Sequence, residues 1–372
     1  MATRFTRSLL LPALATLLAT AGCAAQPDHA SHAAAAQTTV LWISIDGMRG
    51  DYLTRVQPPF LTRLMHEGAY TLHLRPAFPS ITFPSHTAEA TGVPVSGNGI
   101  PGNSFYDAAT HKLWEYPPDG AALRAEPIWN TATRQHVRTA VFDWPLSQMQ
   151  TGPNAAAYFN HAPYDKKLTD AQRLDRLVDA YEHDHAGRPL RLLMGYVEAT
   201  DPVGHKYGPD SREIDDNLRA TDTLLQNTFT RIDAVFEKHK HPGDVLCVLV
   251  STDHGMENTT TGINLQLALG LPKAQDATVV TSGPVGNIYL DPNLPERAKR
   301  LDDFVGLLKS KSYASLYQVY RQNELPPDWH YTDPSRIGDI VVVCTIHATF
   351  EPKLTTESGP LPDGPKGMTI AN

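Results

Sequence analysis

Two short apolar runs each stop on a carboxylate, and that pairing constrains the fold more than anything else in the chain. Val40-Leu41-Trp42-Ile43-Ser44-Ile45 ends in Asp46-Gly47, and the run from Asp244 to Thr252 ends in Asp253-His254-Gly255. Near-continuous apolar runs of this length predict strands covered on both faces. Asp339-Ile340-Val341-Val342-Val343 repeats the pattern. Between the runs the period changes to that of a helix. Phe60, Leu61, Leu64 and Met65 precede Gly68, a C-cap signal. Ile214, Leu218, Leu225, Phe229, Ile232 and Phe236 form the stripe of a long helix, with Asp210 and Glu213 as its capping pair. Helices alternating with buried strands predict an α/β fold, a mainly parallel sheet with helices on both faces. Ligands gather beyond the carboxyl ends of such strands, where Asp46 and Asp253-His254 fall.

The 372 residues suffice for one large domain or two ordinary ones. Residues 98–188 are rich in Pro, Tyr, Trp and Asn with weak periodicity, which predicts a smaller inserted cap region over the sheet edge. A net charge of −8 argues against a nucleic-acid polymer as partner. Three cysteines are too few for a disulfide framework. Cys247 and Cys344 sit in β-branched runs and read as buried, inert thiols.

At the N-terminus, Arg4 and Arg7 precede an apolar run from Leu9 to Leu18, too short to span a bilayer. Residues 1–23 therefore read as an export signal, and 24–37 as a flexible tether. Two outcomes stand for Ala19-Thr20-Ala21-Gly22-Cys23: lipidation at Cys23, as in a bacterial lipobox, or an ordinary cut after a small residue. Thr20 departs from the Leu usual in such boxes. Both place the protein outside the cytoplasm, in the bacterial periplasm, with a lipid anchor as the only membrane attachment.

Four stretches concentrate chemistry: Ser44 to Arg49, Pro79 to His86, Thr200-Asp201-Pro202-Val203-Gly204-His205, and Ser251 to Gly255. Three deliver an Asp and two of those add a His. Carboxylate oxygen with imidazole nitrogen suits zinc better than calcium or magnesium. An Asp-His pair taken alone is more often structural. Thr82, taken alone, reads as an N-cap for a helix over roughly Phe83 to Thr91. In the functional reading the same hydroxyl is a nucleophile at a helix start, where an incoming phosphate is held.

The run Asp46 to Tyr52, the Thr-Phe-Pro-Ser-His segment and Gly99-Ile100-Pro101-Gly102-Asn103 resemble the nucleotide pyrophosphatase/phosphodiesterase family of the alkaline phosphatase superfamily. So do Asp201-x-x-x-His205-Lys206-Tyr207-Gly208-Pro209 and Asp253-His254-Gly255. The resemblance runs in order from Val40 to about Val343. It implies an alkaline phosphatase-like fold and a nucleotide or other small phosphodiester as substrate. Thr82 would be the nucleophile, with Asp46, Asp253 and His254 on one zinc and Asp201 and His205 on a second. Asn103 would stabilise the charged oxygen of the transition state. Phe83, Tyr164 and Tyr196 resemble aromatics that sandwich a nucleobase, although aromatics near strand ends are usually core.

One departure stands out. The family completes its second zinc site with a His in a Gly-x-His-Gly context after the last strand. Here that place reads Pro365-Lys366-Gly367-Met368-Thr369-Ile370-Ala371-Asn372, with no His. His347, in Ile346-His347-Ala348, does not match the motif and reads as a bystander. A truncated or frame-altered C-terminus would account for the departure. The resemblance therefore carries an alternative, a weakly active or inactive exported binding protein. Thr82 followed by Phe-Pro argues against a sulfatase, which uses a modified Cys or Ser. Phosphonate and lipid-headgroup phosphodiester hydrolysis share the Thr and the metal frame and stay open.

Overall fold

In a computed structural model, the protein is described over residues 36–271, 276–362, 364 and 366–368. The expected export signal, Cys23, the tether up to residue 35 and residues 369–372 lie outside the described residues. Among those described, no helix is long and apolar enough to cross a membrane.

The apolar run before Asp46 forms the strand Thr38–Ile45, which lies inside a five-stranded parallel sheet. Its neighbours are Leu190–Val197 on one side and Val245–Ser251 on the other. Arg138–Val141 and then Tyr158–Phe159 complete the sheet beyond Leu190–Val197. Register aligns the carboxyl ends: Ser44 stands opposite both Tyr196 and Ser251. Asp46 and Asp253, each two residues further on, therefore leave the sheet side by side. The helix Arg212–His239 lays Ile214, Leu218, Leu225, Ile232 and Phe236 on one face, against Leu41, Ile43 and Ile45. The expected fold is borne out, and Gly68 ends the helix Pro59–Glu67 with its N–H on the Leu64 carbonyl.

Several expectations change. Residues 98–188 are no insertion over an edge, because they supply two strands of the parallel sheet and the helices Ile128–Arg134 and Asp170–Glu182. A strand of four residues is too short to show a period, so the sequence there reads as irregular. Only its hairpin, Ser104–Asp107 with Lys112–Glu115, stands outside the main sheet. The strand Ile340–Cys344 is buried as predicted, but in a second, antiparallel sheet with Ala277–Ser282, Val285–Leu290 and Tyr317–Arg321. The long helix is capped by Ser211, whose hydroxyl accepts from Ile214 N–H, whereas Asp210 pairs with Arg49. Finally, among the described residues Val245–Ser251 is an edge strand with one face bare: Val245 is 55% and Leu249 42% exposed. Cys247 lies between them and is exposed rather than buried; only Cys344 is the buried thiol expected.

Candidate active site

The turn after Ile45 sets the site. Gly47 adopts φ +66°, and a Cβ there would stand 3.3 Å from Asp201 Cα, so the position favours a residue without a side chain. Its N–H donates to Asp253 Oδ1 (3.1 Å), which also accepts from the N–H of His254 (2.9 Å). Asp46 is tied from below: the Tyr196 hydroxyl donates to its Oδ2, and its own N–H donates to the Val197 carbonyl. One oxygen of each carboxylate is thus fixed by the fold, which aims the other.

The other oxygens converge. His254 Nε2 lies 3.2 Å from Asp46 Oδ1, 3.2 Å from Asp253 Oδ2 and 4.0 Å from Asp201 Oδ1. Asp46 Oδ1 and Asp201 Oδ1 are buried without a hydrogen-bond partner, and Asp253 Oδ2 has, besides His254, only the ion-pair contact of His86 Nδ1 at 3.2 Å. Close approach without hydrogen-bonding geometry is what ligands sharing a cation look like, and Asp46, Asp201 and His254 form a group able to hold a metal ion. Electrostatics agree. Burial and the carboxylates of Asp253 and Asp201 push Asp46 up to about 7. Burial opposes ionisation of Asp253 as well, yet the imidazoles of His254 and His86 hold it below the usual carboxylate range. Burial alone would lower His254, but Asp253 and Asp46 push it up to about 10. So much buried negative charge is costly unless a cation or proton answers it.

Thr82 is the first residue of the helix Thr82–Thr91, and its side chain does not cap it. Its Oγ1 lies 3.3 Å from His254 Nε2 instead, which favours the functional alternative over the cap. Asn103 Oδ1 accepts from the N–H of Phe83 (2.9 Å), so the amide NH2 is its free donor. Asp201 opens the helix Thr200–Tyr207 and His205 follows one turn later, with Nε2 3.2 Å from Asp201 Oδ1. His205 Nδ1 is 2.7 Å from the carbonyl of Gly367, a backbone partner that fixes the ring and leaves Nε2 facing Asp201. His347 is not part of this group; it is exposed, with Nδ1 2.8 Å from the Asn258 carbonyl.

Of the three aromatics, Tyr164 and Tyr196 meet edge-on with ring centroids 6.1 Å apart. Phe83 is half-buried and meets the exposed Tyr116 edge-on at 5.8 Å. Tyr164 is held by its hydroxyl on Glu198 (2.6 Å) and by the Arg173 guanidinium over its ring. Tyr196 is 5% exposed and serves as the support of Asp46 rather than as a stacking face. Two partners escape sequence reading. Tyr116 directly follows the hairpin, and His86, although inside a quoted motif, carries no signal of its role.

A family model described as type I phosphodiesterase / nucleotide pyrophosphatase matches residues 40–364. An uncharacterized pyrophosphatase/phosphodiesterase of Schizosaccharomyces pombe is 29% identical over 318 residues, covering 82% of this chain and 63% of its own. A bis(5'-adenosyl)-triphosphatase of Mus musculus is 29% identical over 310 residues, covering 82% and 64%. The chain spans a little under two thirds of the length of these relatives. Among solved structures, human ectonucleotide pyrophosphatase / phosphodiesterase 5 superposes with a TM-score of 0.73 at 22% identity, over 90% of this chain and 88% of that one. The murine protein, in an inactive threonine-to-alanine form in complex with AMP, gives 0.72 at 22% identity over the same shares. At that identity the likeness is one of fold. The family match spans both sheets and every residue drawn together around His254, and the chain belongs to the type I phosphodiesterase / nucleotide pyrophosphatase family.

Proposed function

We propose that the chain is a zinc-dependent hydrolase of phosphodiester and pyrophosphate bonds in nucleotides, releasing nucleoside 5′-monophosphates through a phospho-threonine at Thr82. The observation that carries this reading is the meeting of Thr82 Oγ1 with His254 Nε2, the nitrogen beside which the free oxygens of Asp46 and Asp253 converge. A threonine hydroxyl is a weak nucleophile at neutral pH. A bound divalent cation supplies the positive charge that favours its alkoxide and polarises a phosphoryl oxygen. Asp46, Asp253 and His254 would hold one zinc, and Asp201 with His205 a second. The N-terminus of the helix Thr82–Thr91 turns its partial positive charge to the phosphate. The Asn103 amide donates to the oxygen that gains charge. Thr82 oxygen bonds to phosphorus as the leaving oxygen departs, and water then cleaves the phospho-threonine. Phe83 and Tyr164 flank the base.

The name of the murine relative and the AMP held by the murine structural neighbour support a nucleotide as substrate. The test is hydrolysis of a nitrophenyl ester of a nucleoside 5′-monophosphate against nitrophenyl phosphate. The diester is expected to be preferred, with activity lost on chelation and restored by zinc. Thr82→Ala is expected to abolish turnover with little change in thermal midpoint, and Thr82→Ser to keep part of it; turnover retained in Thr82→Ala refutes the nucleophile. One observation favours a second reading, weak turnover with zinc only in the first group: His347 stands apart from Asp201 and His205. Metal analysis separates the two, two zincs for the first and one for the second. Export, with lipid attachment at Cys23, belongs to the same proposal; a soluble product indistinguishable from Cys23→Ser refutes the anchor.

A further inference from the structure

His86 stands one turn after Thr82 and has no exposed surface. Its ring is packed edge-on against Trp144 at 5.2 Å and Tyr196 at 5.4 Å. Both nitrogens are engaged. Nε2 is 2.9 Å from Ser44 Oγ, on the strand that leads to Asp46. Nδ1 is 3.0 Å from the carbonyl oxygen of Thr82 and 3.2 Å from Asp253 Oδ2. A core histidine satisfied by chance needs one partner for each nitrogen. This one hydrogen-bonds through Nδ1 to the backbone of one site residue and brings the same nitrogen within ion-pair distance of the carboxylate of another.

We propose that His86 is a positioning residue whose Nδ1–H clamps the first turn of the Thr82 helix to Asp253, keeping the hydroxyl and the ligand carboxylate in register. Apart from the clamp and the site itself, the two segments are joined further along the helix, where Ser251 Oγ donates to Glu89. Partners behind a ligand fix its orientation and so govern both metal affinity and rate. The meaning given to Thr82 rests on the functional reading above, whereas the hold on Asp253 does not.

Two substitutions divide the ring between them. His86→Asn keeps a nitrogen donor at the place of Nδ1 and gives up Ser44 and the packing on Trp144 and Tyr196. His86→Gln reaches Ser44 and gives up the clamp. Three readouts are taken: thermal midpoint, zinc affinity by competition with a chromophoric chelator, and kcat and KM on the nitrophenyl diester. The thermal midpoint is expected to fall further in His86→Asn. Zinc affinity and kcat are expected to fall about 10- to 100-fold in His86→Gln but to stay within about threefold in His86→Asn, with KM changing less than about threefold in both. The clamp is overturned if His86→Gln matches the unaltered protein, or if the losses in both variants simply follow their thermal midpoints. The same ordering of zinc affinities in a protein that hydrolyses no diester supports the clamp and overturns the functional reading. An unaltered protein that binds no zinc overturns both.

Discussion

Replacing Glu89 by Gln should make the metal-free protein more stable at high pH and leave it nearly unchanged at low pH. Glu89 lies on the helix Thr82–Thr91 and accepts a hydrogen bond from Ser251 Oγ (3.0 Å), which in turn accepts from Trp42 Nε1 (2.9 Å). Burial raises its carboxyl from the ordinary 4.5 to about 7; the His86 imidazole opposes the rise and Asp253 adds to it. A carboxyl with a raised pKa holds its proton longer in the folded than in the unfolded chain. Stability therefore falls as pH climbs from about 4.5 to about 7 and levels off above. Between pH 5 and pH 8 that loss is about 2–3 kcal/mol for this shift. Gln accepts from Ser251 in the same way and never ionises. Urea unfolding in the presence of a chelator, at pH 5 and pH 8, should show the Gln variant gaining about that amount at pH 8 relative to pH 5. A variant less stable than the unaltered protein at pH 8 would refute the reasoning, since it would mean that the His86 ring stabilises an ionised Glu89 by more than burial costs.

Tyr196→Phe removes the donor to Asp46 Oδ2 and leaves a buried carboxylate oxygen bare. Unfolding should become easier by about 1–3 kcal/mol, and zinc affinity should drop about tenfold; an unchanged affinity by chelator competition would show that the phenol does not orient Asp46. In the folded protein a thiol reagent should label Cys247 readily and leave Cys344 untouched, because the first is exposed and burial pushes the second thiol well above its usual range. Peptide mass spectrometry reads the two positions separately, and equal labelling would contradict the placement of Val245–Ser251 at a bare edge.

The strands that carry Asp46 and Asp253 are legible because an apolar run ending on a carboxylate is a local signal. The stripe of Arg212–His239 is legible for the same reason. Thr82 could be placed at a helix start, but that its hydroxyl meets His254 instead of capping the helix shows only in the structure. Arg138–Val141 and Tyr158–Phe159 are hidden because short strands carry no period and are recruited by their neighbours. The cap at Ser211 was missed because Asp210, the stronger-looking acceptor, is drawn to Arg49. Val245–Ser251 reads as buried on both faces, and sequence cannot report that one face is left without a covering element. His86 and Tyr196 act through residues distant in the chain, so only their aromatic or apolar settings show in sequence.

His205 is held by a carbonyl from the three-residue strand Lys366–Met368, which among the described residues pairs only with another three-residue strand, Glu257–Thr259. A two-stranded ladder that short is marginal by itself. Each time it opens, Nδ1 of His205 loses its partner and the ring is free to turn. Any ligand that needs both Asp201 and His205 then meets a competent pair for only part of the time, and its apparent dissociation constant is the intrinsic one divided by that fraction. A ladder closed one tenth of the time would cost about tenfold in affinity, with every ligand atom intact. Amide exchange at residues 257–259 is the clock for this opening, so the grip of the second pair can be read from backbone hydrogens that touch no ligand.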